Sequence, residues 1–134
     1  MKHTKGPWRW ELSERQKRLQ LCGGEPVYDL TVMDFVRWGM GGAIPRFRDD
    51  VNKMNIMRPA REHAQPVAGR EHHANWFQFI NHPDALLIAA APDLLEALLK
   101  TKEYLETELP EQFIPILLYN EISKAIEKAT FEAI

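Results

Sequence analysis

The feature that most constrains this chain is the run of residues 83–99, which is almost entirely Ala and Leu around two Asp and two Pro. Leu87, Ala91, Leu94, Leu98 and Leu105 recur at spacings of three, four and seven and so share one helix face. A helix carrying such a stripe must bury it, so other elements have to cover it. Pro83 and Asp84 suit a helix start, preceded by Asn81 or His82. Pro92 removes a hydrogen bond and predicts a kink, or two consecutive helices meeting there. Glu96 and Lys100 form an i,i+4 pair on the second part. Leu109-Pro110 is a stop, and Leu118, Ile122, Ala125, Ile126 and Ala129 make a second amphipathic stripe. The two helices are expected to form an antiparallel hairpin.

Ahead of the helices the period changes. Trp8, Trp10 and Leu12 alternate with Arg9 and Glu11, the pattern of a half-buried strand. Leu19 and Leu21 predict a return strand, Gly23-Gly24-Glu25-Pro26 a turn, and the β-branched and aromatic residues of 27–36 a third strand. The tryptophans are expected to cover the helical stripe. Residues 37–82 read as irregular, punctuated by glycines and prolines, with short helices expected over 51–57 and 71–80. The expectation is a single α+β domain over residues 1–134. A β-meander (1–36) packs on a C-terminal helical hairpin (83–134), and the long irregular segment between carries the functional surface.

Charge narrows the function. The chain of 134 residues has a net charge of −2, which argues against generic coating of double-stranded DNA. The charge is uneven: residues 1–83 hold 13 Lys/Arg against 9 Asp/Glu, residues 84–134 hold 4 against 10. An anionic partner would therefore be met by the first half. A lone Cys22 excludes an internal disulfide and a Cys-based zinc cage, and fits a reducing cytosol. The N-terminus lacks the apolar core of a signal peptide, and no run approaches the ~20 apolar residues of a membrane span, so no membrane partner is expected.

The chemistry-bearing residues cluster in 37–48. Gly39, Gly41 and Gly42 free backbone N–H groups to converge on an anion. Arg37, Arg46 and Arg48 are planar donors suited to phosphate, and Trp38 and Phe47 are able to stack on a base. The segment is neither a Walker loop nor a dinucleotide fingerprint. The blander reading is a glycine-rich loop whose arginines pair with Asp34, Asp49 and Asp50. His72 and His73 either contact the same anion, bond to loop backbone, or mark a metal-dependent enzyme; the zinc-binding His-Glu-x-x-His spacing is absent. Ser13, Ser123 and Cys22 lack the setting of a nucleophile. No cofactor is expected.

Two stretches also resemble a family of short proteins encoded by tailed bacteriophages and prophages. They are His3-Thr4-Lys5-Gly6-Pro7-Trp8-Arg9-Trp10 and the helical Asp84-Ala85-Leu86-Leu87-Ile88-Ala89-Ala90-Ala91-Pro92-Asp93-Leu94-Leu95-Glu96-Ala97-Leu98. The middle is similar to a subset of that family through residues 34–48, Met54-Asn55-Ile56-Met57 and Gly69-Arg70-Glu71-His72-His73. The resemblance covers roughly residues 3–100, and the sequence departs from the usual pattern at Leu86, where Arg is expected. It implies a phage product in the bacterial cytoplasm and an accessory protein that binds rather than catalyses. The expected partner is a small phosphorylated ligand or a host protein. The acidic helices, with Glu103, Glu106 and Glu108, offer a second route: inhibiting a host complex as a nucleic-acid mimic. An exposed helical face would equally serve a homodimer.

Overall fold

A computed structural model describes residues 2–15, 17–25, 30–38, 42–49, 55–72 and 77–130. The chain divides into two compact units, Met1–Ile88 and Ala89–Ile134.

The first unit is built on an antiparallel sheet of β1 (Trp8–Ser13), β2 (Arg18–Gly23), β3 (Leu30–Trp38), β4 (Gly42–Asp49) and β5 (Ile56–Pro59), paired in chain order. Alternation sets one face apolar: Leu12 lies opposite Leu19, Trp10 opposite Leu21, and Met33 opposite Phe47. The ladder shifts by one between Leu21 and Cys22. A short 3-10 turn (Ala60–His63) follows, and then β6 (Ala64–Pro66) pairs with β7 (Phe77–Ile80). The core gathers Ile44, Phe47 and Ala60, with Met33, Val36, Phe77 and Ile80 around them. Ala85 and Ile88, in the first turns of α1 (Pro83–Thr107), pack on the same cluster. Helix α1 continues into the second unit. There, with a 3-10 turn (Glu111–Phe113) between them, α1 and α2 (Ile116–Ala129) share a core of Leu105, Ile122 and Ile126 edged by Leu95, Leu98, Leu109 and Tyr119.

The class is α+β, with the sheet first and the helices last, but several local expectations change. The stretch read as irregular contains β4, β5, β6 and β7. Residues 42–47 pair in unbroken register with β3, so hydrogen bonding to a neighbouring strand overrides the proline at Pro45. Ile56–Pro59 and Phe77–Ile80 are strands, where helices were expected; Pro59 ends β5 at the sheet edge, the position that tolerates a missing N–H. Residues 51–54 and 73–76 lie outside the described residues. Helix α1 runs through Pro92 as one element of 25 residues. Alanines at 89–91 place little bulk beside the ring, and strong helix formers flank it on both sides. Its buried line in the second unit passes through Leu95 and not Leu94, one position round from the expected stripe. Trp10 stands 56% exposed.

Candidate functional site

Two polar clusters lie in the first unit. One is a hollow on the polar face of the sheet, opposite in parity to Trp10, Leu12 and Leu19. Ser13 at the end of β1 faces Arg18 at the start of β2, and Asp34 of β3 faces Arg46 of β4. Gln20, Thr31, Asn55 and Met57 complete the lining of an open cavity of about 410 Å³.

Its floor is an ion pair. Asp34 is 1% exposed, and Arg46 donates to both its carboxylate oxygens, Nε to Oδ1 at 2.8 Å and Nη2 to Oδ2 at 2.6 Å. That two-bond fork is the strong geometry for arginine and carboxylate. The Asp34 hydrogen bond raises the Arg46 pKa against the opposing effect of burial. Arg18 reaches the same carboxylate more loosely, with Nη2 at 3.7 Å from Oδ2. Two guanidiniums against one carboxylate leave the lining with a positive excess. The Arg18 Nε is buried and has no hydrogen-bond partner among the described residues. At the other wall Asn55 Oδ1 accepts from the Thr31 backbone N–H at 2.9 Å, while Asn55 Nδ2 donates to Thr31 Oγ1 at 3.1 Å. The lining contains no imidazole, thiol or aromatic ring, so its chemistry is recognition of a polar, net-anionic group.

The second cluster is buried and joins distant parts of the unit. Thr4 Oγ1 donates to Asp84 Oδ2 at 2.6 Å and accepts from Arg48 Nη2 at 3.1 Å; the Thr4 backbone N–H donates to Asp84 Oδ1. The Asp84 N–H donates to His82 Nδ1 at 3.1 Å, and His82 Nε2 bonds the Arg48 carbonyl at 2.8 Å. His82 thus accepts through Nδ1 from the first turn of α1 and caps its start. His82 stacks on Phe47, with ring centroids 5.2 Å apart, and meets His63 edge-on. Burial lowers the His63 pKa, as does its neighbour His82. With Thr4, Asp84 and His82 all at 2% exposure or below, this network serves the fold.

The structure scatters the residues expected to form one anion site. Arg46 lines the hollow. Phe47 is buried in the core and Arg48 is buried beside Thr4, so neither is offered to a ligand there. Arg37 and Gly42 belong to the β3–β4 ladder, with Arg37 opposite Ala43 and Trp38 opposite Gly42. His72 is in an exposed turn after Gly69. Gly39, Gly41 and His73 lie outside the described residues. Asp34 takes an arginine as the blander reading had it, but Asp49 is held by Arg58, at 2.6 Å. Asp50 lies outside the described residues. No group of three or more potential metal ligands occurs among the described residues. Arg18, Gln20, Thr31 and Asn55 were missed. For Arg18 and Gln20 the signal is the polar parity of β2, whose apolar parity is Leu19 and Leu21; Asn55 lies just before β5 and carries no such pattern.

An α+β chain with this polar sheet face is a phage protein by its relationships. It belongs to the family of Salmonella phage P22 protein Y8K6, whose model matches residues 1–133. That match includes α2, which the sequence resemblance had left out. No curated protein and no solved structure matches the chain.

Proposed function

We propose that this phage-family protein is a non-enzymatic accessory factor that captures a small phosphorylated ligand in the hollow on the polar sheet face, and so modulates a process of the bacterial host or its defences. One observation carries the reading: Arg18 and Arg46 flank a single buried carboxylate in an open cavity, and Arg18 keeps a buried N–H without an acceptor. A phosphate oxygen would satisfy that donor. Arg46 is fixed by Asp34 and acts as a rigid wall, while Arg18 is the adaptable arm. Because no aromatic ring lines the cavity, the phosphoryl group is recognised in preference to a base.

Isothermal titration with inorganic phosphate, ribose 5-phosphate and AMP tests this. The account expects heat from all three, comparable affinity for the two phosphomonoesters, and loss of binding in Arg18→Ala with the urea midpoint unchanged. Absence of heat with every ligand, or undiminished heat with Arg18→Ala, overturns it.

A further inference from the structure

The second unit carries an apolar surface that its own core does not explain. The buried residues of α2 are Ile122 and Ile126, with Tyr119 at the same edge of the helix. At 3.6 residues per turn, Leu117 lies off that line, and it is 82% exposed, with Ile116 and Phe113 exposed beside it in sequence. Single exposed apolar residues are ordinary, but a run of them next to a concavity marks an interaction surface. The concavity is a cavity of about 460 Å³ whose lining includes Leu109, Ile114, Ile116 and Tyr119, with Glu106 and Glu111 also lining it. Pro110 and Pro115 bracket the connection and hold φ of the two turns that shape it, which reduces the entropy lost on docking.

Charge selects the occupant. Residues 103–123 include five glutamates and no Lys, Arg or His, although Lys102, one position earlier, places its Nζ 5.7 Å from the centroid of the Tyr119 ring. Glu106 accepts the Tyr119 hydroxyl, whereas Glu108 and Glu111 have no cationic partner among the described residues. Such a rim repels lipid phosphates and nucleic acid. It also opposes symmetric pairing with the same acidic face of a second copy. We propose that this face docks a basic amphipathic helix of a partner protein, whose apolar side covers Ile116 and Leu117 and whose Lys or Arg side chains meet Glu108 and Glu111. The mode is helix-in-groove recognition, with apolar anchors for affinity and charge for orientation. It is independent of the sheet hollow.

The test uses the full chain and two fluorescent helical peptides, one of Leu and Lys in amphipathic order and one with every Lys replaced by Glu. Anisotropy is expected to show saturable binding of the Leu/Lys peptide and none of the Leu/Glu peptide. Leu117→Ser and Glu111→Lys should each weaken binding by about fivefold or more. Glu14→Lys, the same charge change in the β1–β2 connection, should leave the affinity as it was. Leu117 is so exposed that its replacement should not alter the circular dichroism spectrum. Equal binding of both peptides, or wild-type affinity in Leu117→Ser, overturns the proposal. So does light scattering that shows a dimer dissociated by Leu117→Ser, since that makes a second copy the occupant.

Discussion

Thr4 and Asp84 lie eighty positions apart in sequence, and both hydrogen-bonding groups of Thr4 that can donate are given to the two oxygens of Asp84. The Thr4 carbonyl in turn accepts from Trp8 Nε1 at 2.9 Å and from His3 Nδ1 at 2.8 Å. The lead-in and the helix start, the two stretches that carried the phage resemblance, are therefore two halves of one buried contact. Asp84 also sits in the first turn of α1, where a negative charge complements the helix dipole. What looked like a signature is a device for tying the N-terminus to the first turn of the long helix.

Breaking that contact should cost far more than a surface change. Asp84→Ala leaves the Thr4 N–H and the Thr4 hydroxyl short of an acceptor, and is expected to lower stability by about 3 kcal/mol. Thr4→Val keeps the shape, removes the hydroxyl's two charge-assisted bonds, to Asp84 and from Arg48, and should cost about 2 kcal/mol. Because the residues act together, the double variant should fall short of the sum by about 1 kcal/mol or more. Urea unfolding of the four proteins measures this; strict additivity would contradict the contact.

The Asp34–Arg46 pair makes an asymmetric prediction. Asp34→Ala strands Arg46 on a partly buried floor and is expected to cost about 3 kcal/mol, whereas Asp34→Leu with Arg46→Met should recover most of that loss. Arg18→Ala, at a half-exposed position, should change stability by less than about 1 kcal/mol. The three midpoints in urea separate a structural pair from an adaptable arm.

His63 supplies a pH dependence. Burial and His82 lower its pKa below 6.5, Arg58 adds to the lowering, and Asp49 and Glu62 oppose it. The unfolded chain thus takes up the proton first as pH falls, and the neutral folded form is fully favoured above about 6.5. Stability should decline as acid carries the solution down through the lower folded-state pKa. His63→Gln should show a shallower decline between pH 7.5 and pH 5 in urea midpoints than the wild type; parallel declines would remove His63 as a cause.

Gly23 illustrates a constraint set by close approach. A Cβ there would come within 2.5 Å of the Lys5 carbonyl oxygen and 2.9 Å of Trp8 Cδ1. Gly23→Ala should therefore destabilise the protein by about 1–3 kcal/mol, through displacement of the segment that carries Thr4. A midpoint equal to wild type would show that the lead-in is free to move away.

The α+β class was legible because period decides it: Trp8, Trp10 and Leu12 alternate, whereas Leu98, Leu105, Ile122 and Ile126 follow helical spacing. The middle strands were not. Pro45 and the glycines near it break local propensity, yet β4 is held by pairing with β3, a non-local term that no window over residues 42–49 contains. The same limit applied to the site. Arg46 was visible as a cation near Asp34, but Arg18 and Asn55 come from other strands and reach the hollow only once the register is fixed. Arg48 looked equivalent to Arg46 two positions away, and burial beside Thr4 gave it a different task.

The account turns on whether the Arg18 Nε–H is the group that meets an oxyanion. Its resonance in a ¹H–¹⁵N spectrum, assigned by comparison with Arg18→Lys, can be followed during titration with inorganic phosphate and, separately, with sodium chloride at matched ionic strength. A saturable downfield shift with phosphate, absent with chloride, is the predicted result. An unmoved resonance, or the same drift in both salts, would contradict phosphate capture by the hollow.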